Sequence, residues 1–240
     1  VTFEPYGTPM PNRQIIFPYY FENGRAKLIA IETLRSEYPN AYAYLSSIKG
    51  VLEKRAVSPR PRGDDWYKFG RSQSLAKFSG KPHLIWPVLS LGPRYVCDHS
   101  GKVMFTGGGN GPYYGLELKE GVDESIEYAQ AALSYWLTEK MVKSKTSMFR
   151  GDYYAHGKQF MVDLPIRRID FCNQEDARLH NAVTRMVREI NDLVMKRHAC
   201  EKREDKTLYD RVIAASERSL EQMMNTLYEV DATFERAARQ

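Results

Sequence analysis

The sequence lacks the features that mark secreted, membrane-spanning and metal-binding proteins. Its three cysteines, Cys97, Cys172 and Cys200, are odd in number and far apart, and no pair has the spacing of metal ligands. No apolar run approaches the ~20 residues of a membrane-spanning helix, and no signal-peptide pattern is present. We therefore expect reduced thiols in a cytoplasmic protein.

Catalytic motifs are also missing. The sequence contains neither G-x-S-x-G nor H-E-x-x-H, and its glycine-rich run at 106–115 matches neither a dinucleotide fingerprint nor a P-loop. The Asp/Asn-Pro-Pro-aromatic motif of nucleotide amino-methyltransferases is absent. One pattern remains, because Asp98, Glu117 and Lys119 resemble the acidic pair and lysine that hold Mg²⁺ in many nucleases. A Mg²⁺-dependent nuclease is therefore an alternative hypothesis.

Positive charge is unevenly distributed along the chain. The 240 residues carry a net charge of +5 and are 42% apolar, enough for a sizeable core in one or two folding units. Residues 1–120 hold 16 basic and 10 acidic residues, whereas residues 173–240 hold 12 and 13. The excess in the first half favours a polyanion as partner.

Periodicity predicts an α/β (α+β, mixed) lobe over residues 1–172, followed by a long antiparallel helical hairpin over 173–240. Apolar, β-prone runs fill much of the lobe, and Asn23-Gly24 between two of them indicates a β-hairpin. Helices are expected at 40–55 and 125–138, and Pro87 places its strand at an edge or bulge. In the helical region a heptad seam forms from Leu179, Val183, Met186, Ile190 and Leu193.

The stretch from Ser147 to Arg168 joins the two regimes and is rich in hydrogen-bond donors. Arg150, His156 and Lys158 are typical of surfaces that bind a phosphate backbone, and Gln159 could read a base edge. A tight loop with half-buried tyrosines would explain the same residues. Phe160 to Ile166 reads as the packed seam between lobe and hairpin.

Two further loops carry donors. Arg71, Gln73 and Lys77 follow Gly70, where the first N–H groups of a helix would suit a phosphate. Asn110 and Tyr113 lie in the glycine-rich run, whose backbone can approach a ligand closely. A capped surface helix and a plain strand connection are the structural alternatives at these two places.

Seven segments occur in a familiar order. They are FPYYFENGRAKLI, YPNAYAYLSSIKGVLEKR, WYKFGRSQSL, KPHLIWPVLS, FTGGGNGPYYG, FRGDYYAHGKQFMVDLPI and SLEQMMNTLYEV. As a series they resemble the TaqI-like C-terminal specificity domain, the target-recognition domain of type II (IIG) restriction-modification enzymes and adenine-N6 DNA methyltransferases. The resemblance covers residues 15–230.

The resemblance implies a module that recognises a short sequence in double-stranded DNA. In this family the methyltransferase and nuclease domains lie N-terminal to the recognition domain. S-adenosylmethionine and Mg²⁺ are accordingly expected for the parent enzyme, and no cofactor is expected here. Because the chain starts at Val1 rather than Met, we expect it to be a piece of that enzyme, without catalysis of its own.

Exposed donors and aromatics in loops are the predicted DNA contacts. They are Arg71, Gln73, Lys77, Asn110, Tyr113, Arg150, Tyr154, Lys158 and Gln159. Besides the nuclease, a second alternative is a protein-interaction module in which Leu179, Met186 and Leu193 bind a partner or mediate self-association through the helical arm.

Overall fold

The structure is a computed structural model that describes residues 3–57, 60–70, 75, 80–105, 112–149 and 151–239. It divides into two compact units. The main unit comprises Val1–Met10 and Lys81–Gln240, and the basic unit comprises Pro11–Gly80. The predicted boundary between a recognition lobe (1–172) and a hairpin arm (173–240) concerns function and stays a prediction. In the structure the hairpin belongs to the same compact unit as residues 81–172.

The basic unit pairs a β-hairpin with three short helices. Its elements are β1 (Tyr19–Glu22), β2 (Arg25–Leu28), α1 (Ile31–Glu37), α2 (Pro39–Ser47) and α3 (Lys49–Glu53). Asn23 and Gly24 have φ values of 49° and 70°, as the predicted turn requires. The helix expected over 40–55 is broken at Ile48, which has ψ 13°. Trp66 and Leu75 are buried in this unit.

The main unit contains two small antiparallel sheets and six helices among the residues described. The strands are β3 (His83–Pro87), β4 (Leu89–Ser90), β5 (Val96–Asp98), β6 (Tyr113–Glu117) and β7 (Tyr154–Ala155). The helices are α4 (Ile126–Ser134), α5 (Trp136–Lys145), α6 (Lys158–Met161), α7 (Gln174–Ala199), α8 (Arg203–Leu227) and α9 (Ala232–Arg239). The predicted mixed fold with a C-terminal helical hairpin is confirmed.

Strand β3 lies in the middle of the three-stranded sheet, whose order is β5-β3-β6. The prediction that Pro87 marks an edge strand is therefore wrong. Pro87 is the last residue of β3 and lies opposite Tyr113. Its N–H position faces the side of β5, and the pairing with β5 already ends at Ile85, so no ladder hydrogen bond is lost there. The single helix expected over 125–138 is also interrupted, because Tyr135 adopts an extended conformation and separates α4 from α5.

Helices α7 and α8, of 26 and 25 residues, pack against each other as the heptad seam predicts. Helix α7 also packs on α4 through polar contacts. Gln130 and Asn191 exchange two amide hydrogen bonds of 3.2 and 3.0 Å, and Asn191 also accepts a bond of 2.6 Å from the Gly7 N–H. Ser125 Oγ lies 2.7 Å from Thr184 Oγ1. These directional contacts fix how far along α4 the hairpin sits.

Candidate nucleic-acid interface

The donor-rich stretch is attached to the main unit by a short sheet. In it β7 runs antiparallel to β4, with Leu89 opposite Ala155 and Ser90 opposite Tyr154. The attachment continues at His156, whose N–H donates to the Val88 carbonyl at 2.7 Å and whose carbonyl accepts from Trp86 Nε1 at 2.8 Å. The backbone of the stretch is thereby fixed to strands β3 and β4.

The inner face of this small sheet is polar. His156 is only 1% exposed. Its Nε2 lies 2.9 Å from Glu139 Oε2 on α5, and its Nδ1 lies 3.1 Å from Ser90 Oγ. The expectation that His156 is a surface donor is therefore wrong. The imidazole can be buried because both of its ring nitrogens have hydrogen-bond partners, which face inward from β4 and α5.

This Ser90–His156–Glu139 arrangement resembles a catalytic triad in composition, but its hydrogen bonds serve a structural role. The Ser90 hydroxyl is 2.7 Å from the Gly92 carbonyl and donates its proton there, so the hydroxyl is not activated by the imidazole as a nucleophile must be. Ser90, His156 and Glu139 are all buried, away from any substrate. The three side chains hold the stretch in place.

The outer face of the same sheet is apolar. Successive strand residues point to opposite faces, so Leu89 lies on the face opposite Ser90, and Tyr153 on the face opposite Tyr154. Phe149 pairs with Tyr153 and shares its face, and Leu91 is the exposed residue that follows β4 directly. We call this set the outer ridge: Leu89, Leu91, Phe149 and Tyr153, with exposures of 44%, 45%, 50% and 41%.

A tight turn brings the two aromatic residues of the outer ridge together. The Phe149 N–H donates to the Tyr153 carbonyl at 2.7 Å. Between them Gly151 and Asp152 have φ values of 81° and 61°, the left-handed conformation that glycine adopts most readily. Arg150 lies outside the described residues, so its expected phosphate contact stays a prediction.

Basic residues lie on the inner side of the sheet and at the start of α6. Lys143 Nζ lies 4.9 Å from the centre of the Tyr154 ring and 3.5 Å from Glu139 Oε1, which places it on the inner side, beside the buried network. Lys158 and Gln159 begin α6 and are exposed. Residues 139–158 contain five basic and two acidic residues.

On the scale of whole units, the positive charge is concentrated in the basic unit. Its residues 11–80 include 12 Lys and Arg against 6 Asp and Glu, a balance of +6. The main unit holds the remaining 23 basic and 24 acidic residues, a balance of −1. Residues 139–158, with a balance of +3, are thus a basic segment within a nearly neutral unit.

One comparison with known proteins bears on this surface. The chain is similar to a restriction-modification enzyme. It is 27% identical over 232 residues to the Type II restriction enzyme and methyltransferase RM.Eco57I of Escherichia coli, an alignment that covers 95% of this chain. The chain spans about a quarter of that enzyme's length, because the same alignment covers 23% of it. No protein-family model matches the chain.

Some of the predicted DNA-contact residues lie on the surface, and one lies in a strand instead of the predicted loop. Lys158 and Gln159 are exposed, and Tyr154 is half-buried beside Lys143. Tyr113 is not in a loop: it lies in β6, and its ring centre is 5.0 Å from that of Phe3. Four further predicted contacts, like Arg150, lie outside the described residues, namely Arg71, Gln73, Lys77 and Asn110.

The two acidic residues proposed for a nuclease lie on different strands. Asp98 and Glu117 both lie opposite His83, on the two strands that flank β3, so roughly 10 Å separates their backbones. Asp98 is buried and accepts hydrogen bonds from the backbone of Ser100 and Val103. Within the described ranges no three or more His, Cys, Asp or Glu side chains are grouped to hold a metal ion.

The residues of the protein-interaction alternative belong to the core. Leu179, Met186 and Leu193 are half-buried and pack against the cluster that unites α4, α7 and α8. They are therefore engaged within the chain. Among the residues with described positions, no helix is both long and apolar enough to cross a membrane.

Sequence reasoning missed the residues that support the surface. Glu139 directly follows the helix expected over 125–138, and Ser90 directly follows the apolar run at residues 84–89. One signal was available: Leu89-Ser90-Leu91 alternates with period two, so a single face of that strand had to be polar. Which face is buried depends on His156, 66 residues further on.

Proposed function

We propose that this chain is a DNA-recognition module of a type II restriction-modification enzyme, which binds a specific sequence in double-stranded DNA. The observation that carries the proposal is the 27% identity to such an enzyme over 95% of the chain. The basic unit and the basic segment 139–158 supply the electrostatic complement to a polyanion.

Two kinds of contact divide the work of recognition. Lys and Arg side chains neutralise phosphates, which gives affinity that falls as salt rises. Amide side chains of Gln73, Asn110 and Gln159 donate to and accept from base edges, as Asn and Gln do with adenine. Tyr113, half-buried in β6, contributes by positioning that strand.

The other domains of the parent enzyme supply chemistry in this proposal. The methyltransferase and nuclease domains, which use S-adenosylmethionine and Mg²⁺, are partners in the same polypeptide. The α7–α8 hairpin connects the recognition surface to them. Its two helices are each roughly 40 Å long, which makes it a stiff spacer.

The first experiment measures binding of the 240-residue chain to fluorescent duplex DNA at about 50 and 200 mM salt. Lys158→Ala should weaken binding and lower the slope of log K against log salt by about 1, because one phosphate contact is lost. Arg150→Ala should act in the same direction. Lys206→Ala, at an exposed lysine of α8, is the matched control.

Unchanged affinity and slope in both Lys158→Ala and Arg150→Ala would remove this stretch from the interface. Specificity needs a separate measurement, in which the chain selects duplexes from a random pool over several rounds. Enrichment of one short sequence supports recognition. Binding without enrichment would reduce the function to non-specific DNA affinity.

A further inference from the structure

We propose that the outer ridge is a wedge that inserts Phe149 or Tyr153 at a base step of the bound DNA and unstacks it. This inference rests on the proposed function and adds a mode of readout to it. The outer ridge would contact the apolar face of a base pair, which becomes exposed when neighbouring bases separate.

The first reason is the inverted polarity of the β4–β7 sheet. A sheet with one covered face normally buries apolar residues and exposes polar ones. Here Ser90 and His156 are buried, while Leu89 and Phe149 are exposed at 44% and 50%. Folding covers only about half of these apolar side chains, so a ligand that covers the rest supplies further contact.

The second reason is charge. Phe149 and Tyr153 of the outer ridge belong to the segment 139–158, which has five basic and two acidic residues. The exposed apolar residues Leu208 and Val212 on α8 lie instead in a stretch, 203–212, with three basic and three acidic residues. An apolar ridge carried by a basic segment fits a duplex, whose phosphates attract the basic residues while its bases accept the wedge.

The third reason is rigidity. A wedge must be held firmly, because a mobile side chain would fold against the protein rather than separate stacked bases. The tip is closed by the hydrogen bond between Phe149 and Tyr153. Beneath it, the buried contact between His156 and Glu139 ties the strand to α5. The bound shape is therefore present before DNA arrives, which lowers the cost of binding.

The test uses the full 240-residue chain and the duplex that it selects from a random pool, with 2-aminopurine placed at each position of the site in turn. The wedge predicts a rise in 2-aminopurine fluorescence at one step when the chain binds, because unstacking relieves quenching. Phe149→Ala and Tyr153→Ala should abolish or reduce the rise and weaken binding by about tenfold. Their salt slopes should stay unchanged, since neither side chain carries charge.

Phe234→Ala is the control, because Phe234 is an exposed aromatic residue at 50% on α9 of the same unit. If the wild-type chain binds DNA and no position brightens, the wedge is refuted while the proposed function stands. If Phe149→Ala and Tyr153→Ala both bind DNA as tightly as the wild-type chain, the wedge is refuted as well. If the wild-type chain binds no DNA even at low salt, both proposals fall. The fluorescence of the wild-type complex decides the question even where a variant folds poorly.

Discussion

His156 Nε2 lies 2.9 Å from Glu139 Oε2, and this buried contact joins helix α5 to the segment that carries the outer ridge. The contact explains why a loop rich in donors has a fixed shape. Its polar groups are used on the inner side, so the outer side is left to Leu89, Phe149 and Tyr153. The same relationship leads to the first prediction.

His156→Ala should destabilise the fold by about 2–4 kcal/mol, because it leaves the buried Glu139 carboxylate without its Nε2 partner and opens a cavity. Urea unfolding at pH 7 measures the change in the free energy of unfolding. Lys158→Ala, two residues away and exposed, should change it by less than about 0.5 kcal/mol. Equal stability of the His156 variant and the wild type would contradict the anchoring role.

Leu164→Ala should cost about 2–4 kcal/mol of stability. Leu164 is buried in the cluster that includes Trp86, Tyr95 and Val142, so its loss leaves a cavity among large side chains. Val162→Ala is the matched variant, since Val162 is 65% exposed and should be near neutral. If Leu164→Ala melts at a temperature as high as Val162→Ala does, the seam of residues 160–166 is not part of the core.

Asn191→Ala should cost about 1–3 kcal/mol, because the Gly7 N–H and the Gln130 amide would both lose their buried partner. Those bonds measure 2.6 Å from Gly7 and 3.2 Å from Gln130. Asp192→Ala, at the next and exposed position, should leave the unfolding midpoint in urea nearly unchanged. If Asn191→Ala lowers the unfolding midpoint no more than Asp192→Ala does, the amide pair adds no stability.

Glu217 gives a prediction for pH. Burial raises the pKa of its carboxyl above the ordinary value of 4.5, and Arg197 counteracts only part of that effect. A raised pKa in the folded state means that folding favours the protonated form of Glu217. Above the raised pKa the buried carboxylate therefore lowers the free energy of unfolding. Below about pH 4.5 the group is protonated in both states and this penalty is absent. Glu217→Gln should therefore raise the melting temperature at pH 7 by about 1–3 °C.

The gain from Glu217→Gln should disappear at pH 4, where the wild-type carboxyl is largely protonated in both states. Glu201→Gln, at an exposed position in the α7–α8 connection, serves as the control across the same pH range. A melting temperature that rises equally at both pH values would mean that the effect does not come from titration of Glu217.

Features that depend on neighbouring residues could be predicted from the amino-acid sequence alone. The heptad step from Leu179 to Leu193 predicted the helical hairpin, because residues at that spacing return to the same face of a helix. Asn23-Gly24 predicted the first β-hairpin, since those two residues adopt positive φ at low cost. The location of the positive charge is likewise a property of the chain itself.

Which faces are buried depended on contacts that form only when the whole chain folds. The period of Leu89-Ser90-Leu91 shows that one face is polar, but Ser90 points inward because His156 and Glu139, distant in sequence, meet it there. Tyr135 interrupts a helix whose local pattern is continuous, and there its hydroxyl bonds to Asn225 of α8 at 2.5 Å. Burial depends on partners that local periodicity does not contain, and the free energy of those long-range contacts outweighs local preference.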